Sequence, residues 1–257
     1  MLTLRRPVSE SAIKEMGQDT LVLYVKGAPD ILFPRCTSYM DMDGVVQPLT
    51  ADSQAAINSS QEQLSGKGQR VLALCSRTIQ LPSKLFSLDQ PEDDFARNVE
   101  SVNSDLTIIG LVGIVDPPRK EIPGVVATVR RAGCRVAMVT GDFSITAAAI
   151  AKQCGIITVN TVDNAAVVRD PSKVPTHRDI EDEETFYNNN VTALVITGSD
   201  LMEGFSDHEW DVICSYSELV FARTTPEQKL RIVNGKFFGE VGYLKVFDGF
   251  TYKLFKC

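Results

Sequence analysis

Four short segments carry the residue types that phosphate chemistry needs. Thr140-Gly141-Asp142 follows the apolar run Val136–Val139 directly and stands where the next helix opens. A hydroxyl, an unhindered glycine backbone and a helix N-terminus together suit a phosphoryl oxygen. The same three residues also read as a Thr/Asp helix cap with glycine for the turn. Arg223 and Lys229 flank Thr224-Thr225-Pro226 at a strand-to-helix junction, which puts Lys229 in the first turn, able to reach back to a phosphate. Lys26-Gly27-Ala28-Pro29 sets a cation beside open backbone at the end of Leu21–Val25, and Arg70 heads Val71–Cys75. A guanidinium fork and a lysine point charge suit a nucleotide and its phosphates. Taken singly, each of these cations is an ordinary solvated surface residue.

The elements that must hold these segments fall into two styles. Up to about residue 104 the strands Leu21–Val25 and Val71–Cys75 accompany a hairpin over Ser38–Val46, whose Asp43-Gly44 accepts the positive φ of such a turn, and a helix over 51–66. Gln80 to Glu100 reads as surface connection with a short helix. From residue 105 the rhythm changes. Leu106–Val115 is a nearly continuous apolar strand, the pattern of a strand covered on both faces. Ile122, Val125, Val126, Val129 and Ala132 recur at helical spacing, Gly133 ends that helix, and Val136–Val139 is a second buried strand. Ser144–Cys154 is a further helix, 158–190 an inserted polar loop, Ala193–Ile196 and Leu219–Phe221 later strands, and Pro226 opens another helix. This alternation predicts an α/β fold with a parallel sheet wrapped by helices. Ligands of such sheets bind beyond the carboxyl ends of the strands, where Thr140 and Arg223 fall. Asp116-Pro117-Pro118-Arg119 ends the strand over 106–115, its prolines fixing the exit path.

Bulk properties narrow the function. With 26 Lys and Arg against 33 Asp and Glu, the formal charge of −7 disfavours a broad nucleic-acid surface. Six scattered cysteines without a CxxC pair and two histidines argue against a zinc site and for a reduced, cytosol-facing setting. No run approaches the ~18 apolar residues of a spanning helix, and Met1–Pro7 lacks the apolar core of a signal peptide.

The joint order of motifs is more specific than any one of them. Lys26-Gly27-Ala28-Pro29, Arg70-Val71-Leu72, Asp116-Pro117-Pro118-Arg119, Thr140-Gly141-Asp142, Gly198-Ser199-Asp200-Leu201 and Ala222-Arg223-Thr224-Thr225-Pro226-Glu227-Gln228-Lys229 together resemble the P-type ATPases. The last two segments are most similar to the sodium/potassium and proton/potassium pump branch. The resemblance implies part of an α+β nucleotide-binding domain over 1–104, part of a haloacid-dehalogenase-like, Rossmann-type phosphorylation domain over 105–233, and a tail over 234–257 outside the family pattern. It implies that Lys26, Gly27 and Arg70 contact ATP, that Thr140 holds the phosphoryl group with Gly141 and Asp142 lining the same pocket, that Arg223 lies beside the nucleotide, and that Lys229 neutralises the transferred phosphate.

The departures are equally specific. The family's Asp-Lys-Thr-Gly-Thr segment, with its phosphorylated aspartate, does not occur in these 257 residues, nor does the Thr-Gly-Asp-Gly-x-Asn-Asp hinge that binds Mg2+. Asp248-Gly249 falls near the position of the magnesium aspartate, but Tyr252 replaces the second acid; Asp30 stands for the usual Glu and Phe143 for a common His. The expectation is an ATP-binding fragment, cytosolic as it stands, of a pump whose membrane-embedded remainder would be its partner, with magnesium ligands missing and no turnover by the family mechanism. Two alternatives stay open. Asp41-Met42-Asp43-Gly44-Val45 mimics the nucleophile motif of soluble haloacid-dehalogenase phosphatases, with Asp41 attacking and Asp43 as general acid/base. The other is a catalytically inert interaction fragment.

Overall fold

The structure, a computed structural model, describes residues 1–16, 20–80, 92–170, 193–233, 244–248 and 251–254. The chain divides into two compact units, Met1–Leu64 with Val71–Ile114, and Ser65–Arg70 with Val115–Cys257.

The first unit holds a six-stranded sheet in the order β1-β2-β5-β6-β3-β4, built from β1 (Leu2–Arg5), β2 (Thr20–Gly27), β3 (Cys36–Met40), β4 (Val46–Pro48), β5 (Arg70–Gln80) and β6 (Leu106–Ile114). Helices α1 (Glu10–Met16), α2 (Pro29–Leu32), α3 (Ala51–Gly66) and α4 (Glu92–Ser101) accompany it. The period-2 pattern of β2 sets its faces: Leu23 and Val25 are buried, while Tyr24 and Lys26 are exposed. Leu23, Val25, Ala73, Cys75, Leu106 and Ile108 share one core with Phe33 and Val102. The expected hairpin is present, with Gly44 at φ 82° in its turn. Asp41 holds that turn together. Its Oδ1 accepts from the N–H groups of Asp43 (3.1 Å) and Val45 (2.8 Å), and its Oδ2 from Gln47 Nε2 (3.0 Å).

The second unit carries another six-stranded sheet, in the order β12-β11-β7-β10-β9-β8. Its strands are β7 (Arg135–Val139), β8 (Val162–Asn164), β9 (Ala193–Thr197), β10 (Glu218–Ala222), β11 (Leu244–Asp248) and β12 (Thr251–Leu254). Every pairing is parallel except β11 with β12. Helices α5 (Ile122–Arg131), α6 (Ser144–Gln153), α7 (Ala165–Val168), α8 (Gly198–Glu203), α9 (Asp207–Ser215) and α10 (Pro226–Val233) surround it. Alternation fills both faces. Ala137, Val139, Leu194, Ile196, Leu219 and Phe221 face one core, and Val136, Met138, Ala193, Val195, Val220 and Ala222 the other. This is the doubly covered parallel sheet that the apolar runs predict.

Three expectations change. The strand over 106–115 opens the second domain in the sequence reading, but β6 belongs to the first sheet, between β5 and β3. Leu106 and Ile108 are buried in the first core, and Arg77 Nη1 donates to the carbonyls of Val102 (3.1 Å) and Ser104 (2.8 Å) just before the strand. The division therefore falls at Val115 rather than 105. Nor is β6 covered on both faces: Ile109, Val112 and Ile114 are exposed. Second, the polar stretch read as a loop from 158 contains β8, which lengthens the sheet, and α7; its part over 171–192 lies outside the described residues. Third, the tail beyond 233 contributes β11 and β12. β11 runs parallel to β7 with Phe247 opposite Met138, so Asp248 ends that strand at the sheet's carboxyl edge. Of the connection expected over 80–100, α4 is present and 81–91 lie outside the described residues.

Candidate phosphate and nucleotide site

The in-register parallel pairing of β7 with β10, Val139 opposite Phe221, brings Thr140 and Arg223 out at the same carboxyl edge. Backbone bonds then stitch the two loops together. Thr140 N–H donates to the Phe221 carbonyl (2.8 Å), Arg223 N–H to that of Asp142 (2.9 Å), and Thr224 N–H to that of Thr140 (3.1 Å). Thr224 Oγ1 donates to the same Thr140 carbonyl at 3.0 Å and is buried. Arg223 adopts φ 55°, a left-handed conformation that a non-glycine residue holds only when its surroundings fix it.

Thr140 and Asp142 do not cap the following helix. The N-cap of α6 is Phe143, which supplies no side-chain bond. Instead Thr140 Oγ1 donates to Asp142 Oδ2 at 2.9 Å and accepts from Asp142 N–H at 3.1 Å. The first amides of α6 thus receive no side-chain acceptor from its N-cap, an arrangement that suits an anion. Arg70 ends the short segment Ser65–Arg70 that belongs to this unit, and its Nε and Nη2 both lie 2.7 Å from Asp142 Oδ1. Thr146 Oγ1 donates to the Gln69 carbonyl at 3.0 Å, which fastens the approach to Arg70 onto α6. The Arg223 guanidinium lies 5.9 Å from the centre of the Phe143 ring, so the aromatic residue that stands for a common His packs with a cation.

Lys229 sits in the opening turn of α10. That helix begins with a reciprocal cap, Thr225 N–H donating to Gln228 Oε1 (2.9 Å) and Gln228 N–H to Thr225 Oγ1 (3.2 Å). Gln228 Nε2 donates to the Gly198 carbonyl at 2.7 Å, and the two segments approach closely: a Cβ on Gly198 would stand 2.2 Å from the Arg223 carbonyl oxygen. Thr197 and Asp200 form a second capping box that sets α8 beside this contact.

Hydrogen bonds thus join Thr140, Asp142, Arg70 and the backbone of Arg223–Thr224, with Gly141 exposed among them and Lys229 placed by the Thr225–Gln228 cap. Lys26 and Gly27 belong to the first unit, at the end of β2, where Gly27 pairs with Ala73 and Lys26 with Leu74. Asp41 and Asp43 lie there too, in the hairpin turn that follows β3, a strand paired parallel with β6 and antiparallel with β4; Asp41 spends both carboxylate oxygens on the turn. Asp116 and Arg119 are exposed in the exit from β6. Gln228, Thr224 and Gly198 were not singled out from the sequence as site-building residues. Thr225-Pro226-Glu227-Gln228 is nonetheless a legible capping-box pattern.

Residues 5–121 match the family model described as P-type ATPase, cytoplasmic domain N. The chain is 36% identical over 225 residues to the potassium-transporting ATPase alpha chain 2 of Cavia porcellus, covering 86% of this chain and 20% of that protein. It is 38% identical over 222 residues to the sodium/potassium-transporting ATPase subunit alpha-A of Artemia franciscana, covering 83% of this chain and 20% of that one. The human potassium-transporting ATPase alpha chain 2 is 35% identical over 219 residues, 83% of this chain and 19% of the relative.

The chain belongs to the P-type cation-transporting ATPases. It spans about a fifth of the length of these relatives. Among the described residues no helix is long and apolar enough to cross a membrane. Members of this P-type ATPase family use ATP with Mg2+. Among the described residues no group of three or more His, Cys, Asp or Glu side chains could hold a metal ion. The carboxylate beside Thr140 is that of Asp142, already engaged by Arg70 and the Thr140 hydroxyl. The described residues of this P-type ATPase chain therefore do not form the magnesium site of the family.

Proposed function

We propose that this chain is an ATP-binding piece of a P-type cation pump of the sodium/potassium type, without transport or phosphoryl turnover of its own. The observation that carries the reading is the Thr140–Asp142–Arg70 group at the carboxyl edge of a parallel sheet, where the N-cap of α6 leaves the first amides uncapped by a side chain. In the second unit, Thr140 and the amides opening α6 receive phosphate oxygens, Gly141 lets them approach, and Lys229 and Arg223 offset their charge. Arg70 exchanges its bond to Asp142 for the nucleotide. In the first unit, taken by itself, Lys26 offers a cation and Gly27 a position without a side chain to a nucleotide.

The second unit is read as part of a haloacid-dehalogenase-like phosphorylation domain, and the first as part of the nucleotide-binding domain. In an intact pump both would face the cytoplasm and work with a membrane-embedded remainder. No step through Mg2+ is proposed, because the described donor set does not fit that ion.

Calorimetric titration with ATP in the absence of added metal tests the reading. Saturable heat at millimolar ATP, weakened by Arg70→Ala and by Lys26→Ala, is the expected result. Folded protein that gives no heat, or heat indifferent to both substitutions, would sink it.

A further inference from the structure

The first unit contains a second reactive group, made of two cysteines that the motifs above do not include. Cys36 and Cys75 come from strands separated in the sheet by β6, yet their Sγ atoms lie 3.8 Å apart. We propose that Cys36 and Cys75 are a redox-active thiol pair, oxidised by a peroxide to an intramolecular disulfide within this unit.

The two sulfurs have unequal surroundings, which assigns their roles. Cys75 is buried in the middle of β5, opposite Val25 of β2. Cys36 is half-buried and follows the 3-10 turn Phe33–Arg35, so solvent and a small oxidant reach it first. Its Sγ also lies 3.2 Å from the Leu32 carbonyl. In the reduced pair the Cys36 thiol donates to Leu32, and Cys75 donates to Cys36. When Cys36 loses its proton, the Cys75 S–H remains to stabilise the thiolate. That hydrogen bond holds the Cys36 thiol below the usual range, while Cys36 and burial push Cys75 up.

Closing the S–S bond to ~2.05 Å requires the sulfurs to approach by nearly 2 Å, and with β6 between their strands the backbone at Cys36 must shift as well. Room exists where it is needed. The ladder between β3 and β6 is irregular, its register shifting between Cys36 and Ser38, so the backbone at Cys36 is not locked by regular pairing.

The chemistry balances with a hydroperoxide as oxidant. The Cys36 thiolate attacks one peroxide oxygen, the O–O bond breaks, and the other oxygen leaves as hydroxide, which takes the proton lost by Cys36 to become water. The Cys36 sulfenic acid is then attacked by Cys75. An S–S bond forms, the S–O bond breaks, and the departing hydroxide takes the Cys75 proton as a second water. Both sulfurs share the two-electron oxidation, and a dithiol reverses it by exchange.

Peptide mapping decides the matter on the wild-type chain. The folded protein is exposed to hydrogen peroxide, remaining thiols are alkylated, and the trypsin digest is read without reductant. The expected product is Cys36–Lys67 joined to Val71–Arg77, two hydrogens lighter than the separate peptides and abolished by dithiothreitol. Cys36→Ser and Cys75→Ser should each lose it, and protein unfolded in urea before oxidation should lose the preference for this pair. Recovery of both peptides fully alkylated from oxidised, folded wild-type protein overturns the proposal. So does a disulfide that links either cysteine chiefly to Cys134, Cys154 or Cys214.

Discussion

Arg70 and Asp142 stand 72 positions apart in the chain and meet at 2.7 Å, with the guanidinium 65% exposed and the carboxylate 13% exposed. So open an ion pair contributes little to folding, on the order of 0–1 kcal/mol. Its importance is competitive, because the carboxylate occupies the cation that the proposed nucleotide requires. Asp142→Asn should therefore tighten ATP several-fold, whereas Arg70→Ala should weaken it. In the double variant the benefit of neutralising the carboxylate should vanish, since there is no guanidinium left to release. Calorimetry on the four proteins measures the coupling, and simple additivity would show that the pair has no part in binding.

Gly198 and Gly141 make a second, sharper contrast. A Cβ at Gly198 would strike the Arg223 carbonyl at 2.2 Å and Gln228 Oε1 at 2.8 Å, and the first of these is backbone that cannot swing aside. Gly198→Ala should cost about 3 kcal/mol in urea unfolding, at the upper end of ordinary overpacking. At Gly141 the nearest atom to an added Cβ, the Thr224 carbonyl oxygen, is 3.8 Å away, so Gly141→Ala should fold like the wild type. Any loss of ATP affinity in that variant then reports on the site alone.

Thr224 fastens the ends of β7 and β10 through a buried hydroxyl bonded to the Thr140 carbonyl. Thr224→Val keeps the shape and removes the donor. About 1–2 kcal/mol of stability should be lost, together with part of any affinity for phosphate, because Thr140 loses its anchor. A variant with the expected stability loss but unaltered ATP binding would show that the fastening serves folding only.

Acid should loosen the helix α9 through its cap. Glu209 accepts from the Ser206 N–H at 2.7 Å, and chiefly this bond holds its carboxyl below the usual carboxylate range. A group whose pKa is lowered by folding stabilises the fold above its unfolded pKa and loses that contribution as pH falls through the folded value. The melting-temperature gap between wild type and Glu209→Gln should accordingly be widest near neutrality and narrow as the pH falls below the ordinary glutamate range. A gap that stays constant with pH would assign the difference to packing instead.

Much of the second unit was legible because its information is local. The apolar runs Val136–Val139 and Ala193–Ile196 are too continuous for a half-buried strand, and both faces are indeed filled. Thr140 and Arg223 were placed at strand ends by the runs Val136–Val139 and Leu219–Phe221. What was illegible depends on partners distant in sequence. Leu106–Ile114 reads as the start of the parallel sheet, yet Arg77 and the first core hold it in the other unit. The bond from Arg70 to Asp142, and the meeting of Cys36 with Cys75, arise only when segments far apart in the chain are brought together by folding. Thr140 and Asp142 have the composition of a cap, and only the geometry shows that they bond each other instead.

The tail hairpin carries a different kind of consequence. β11 joins the sheet through the backbone ladder of β7, which asks for extended chain and little about side-chain identity. Its companions β7, β10 and β9 keep their own two cores. That ladder fixes the path of β11 and leaves open which residue the strand brings to the carboxyl edge. Here that residue is Asp248, which ends the strand that runs beside β7.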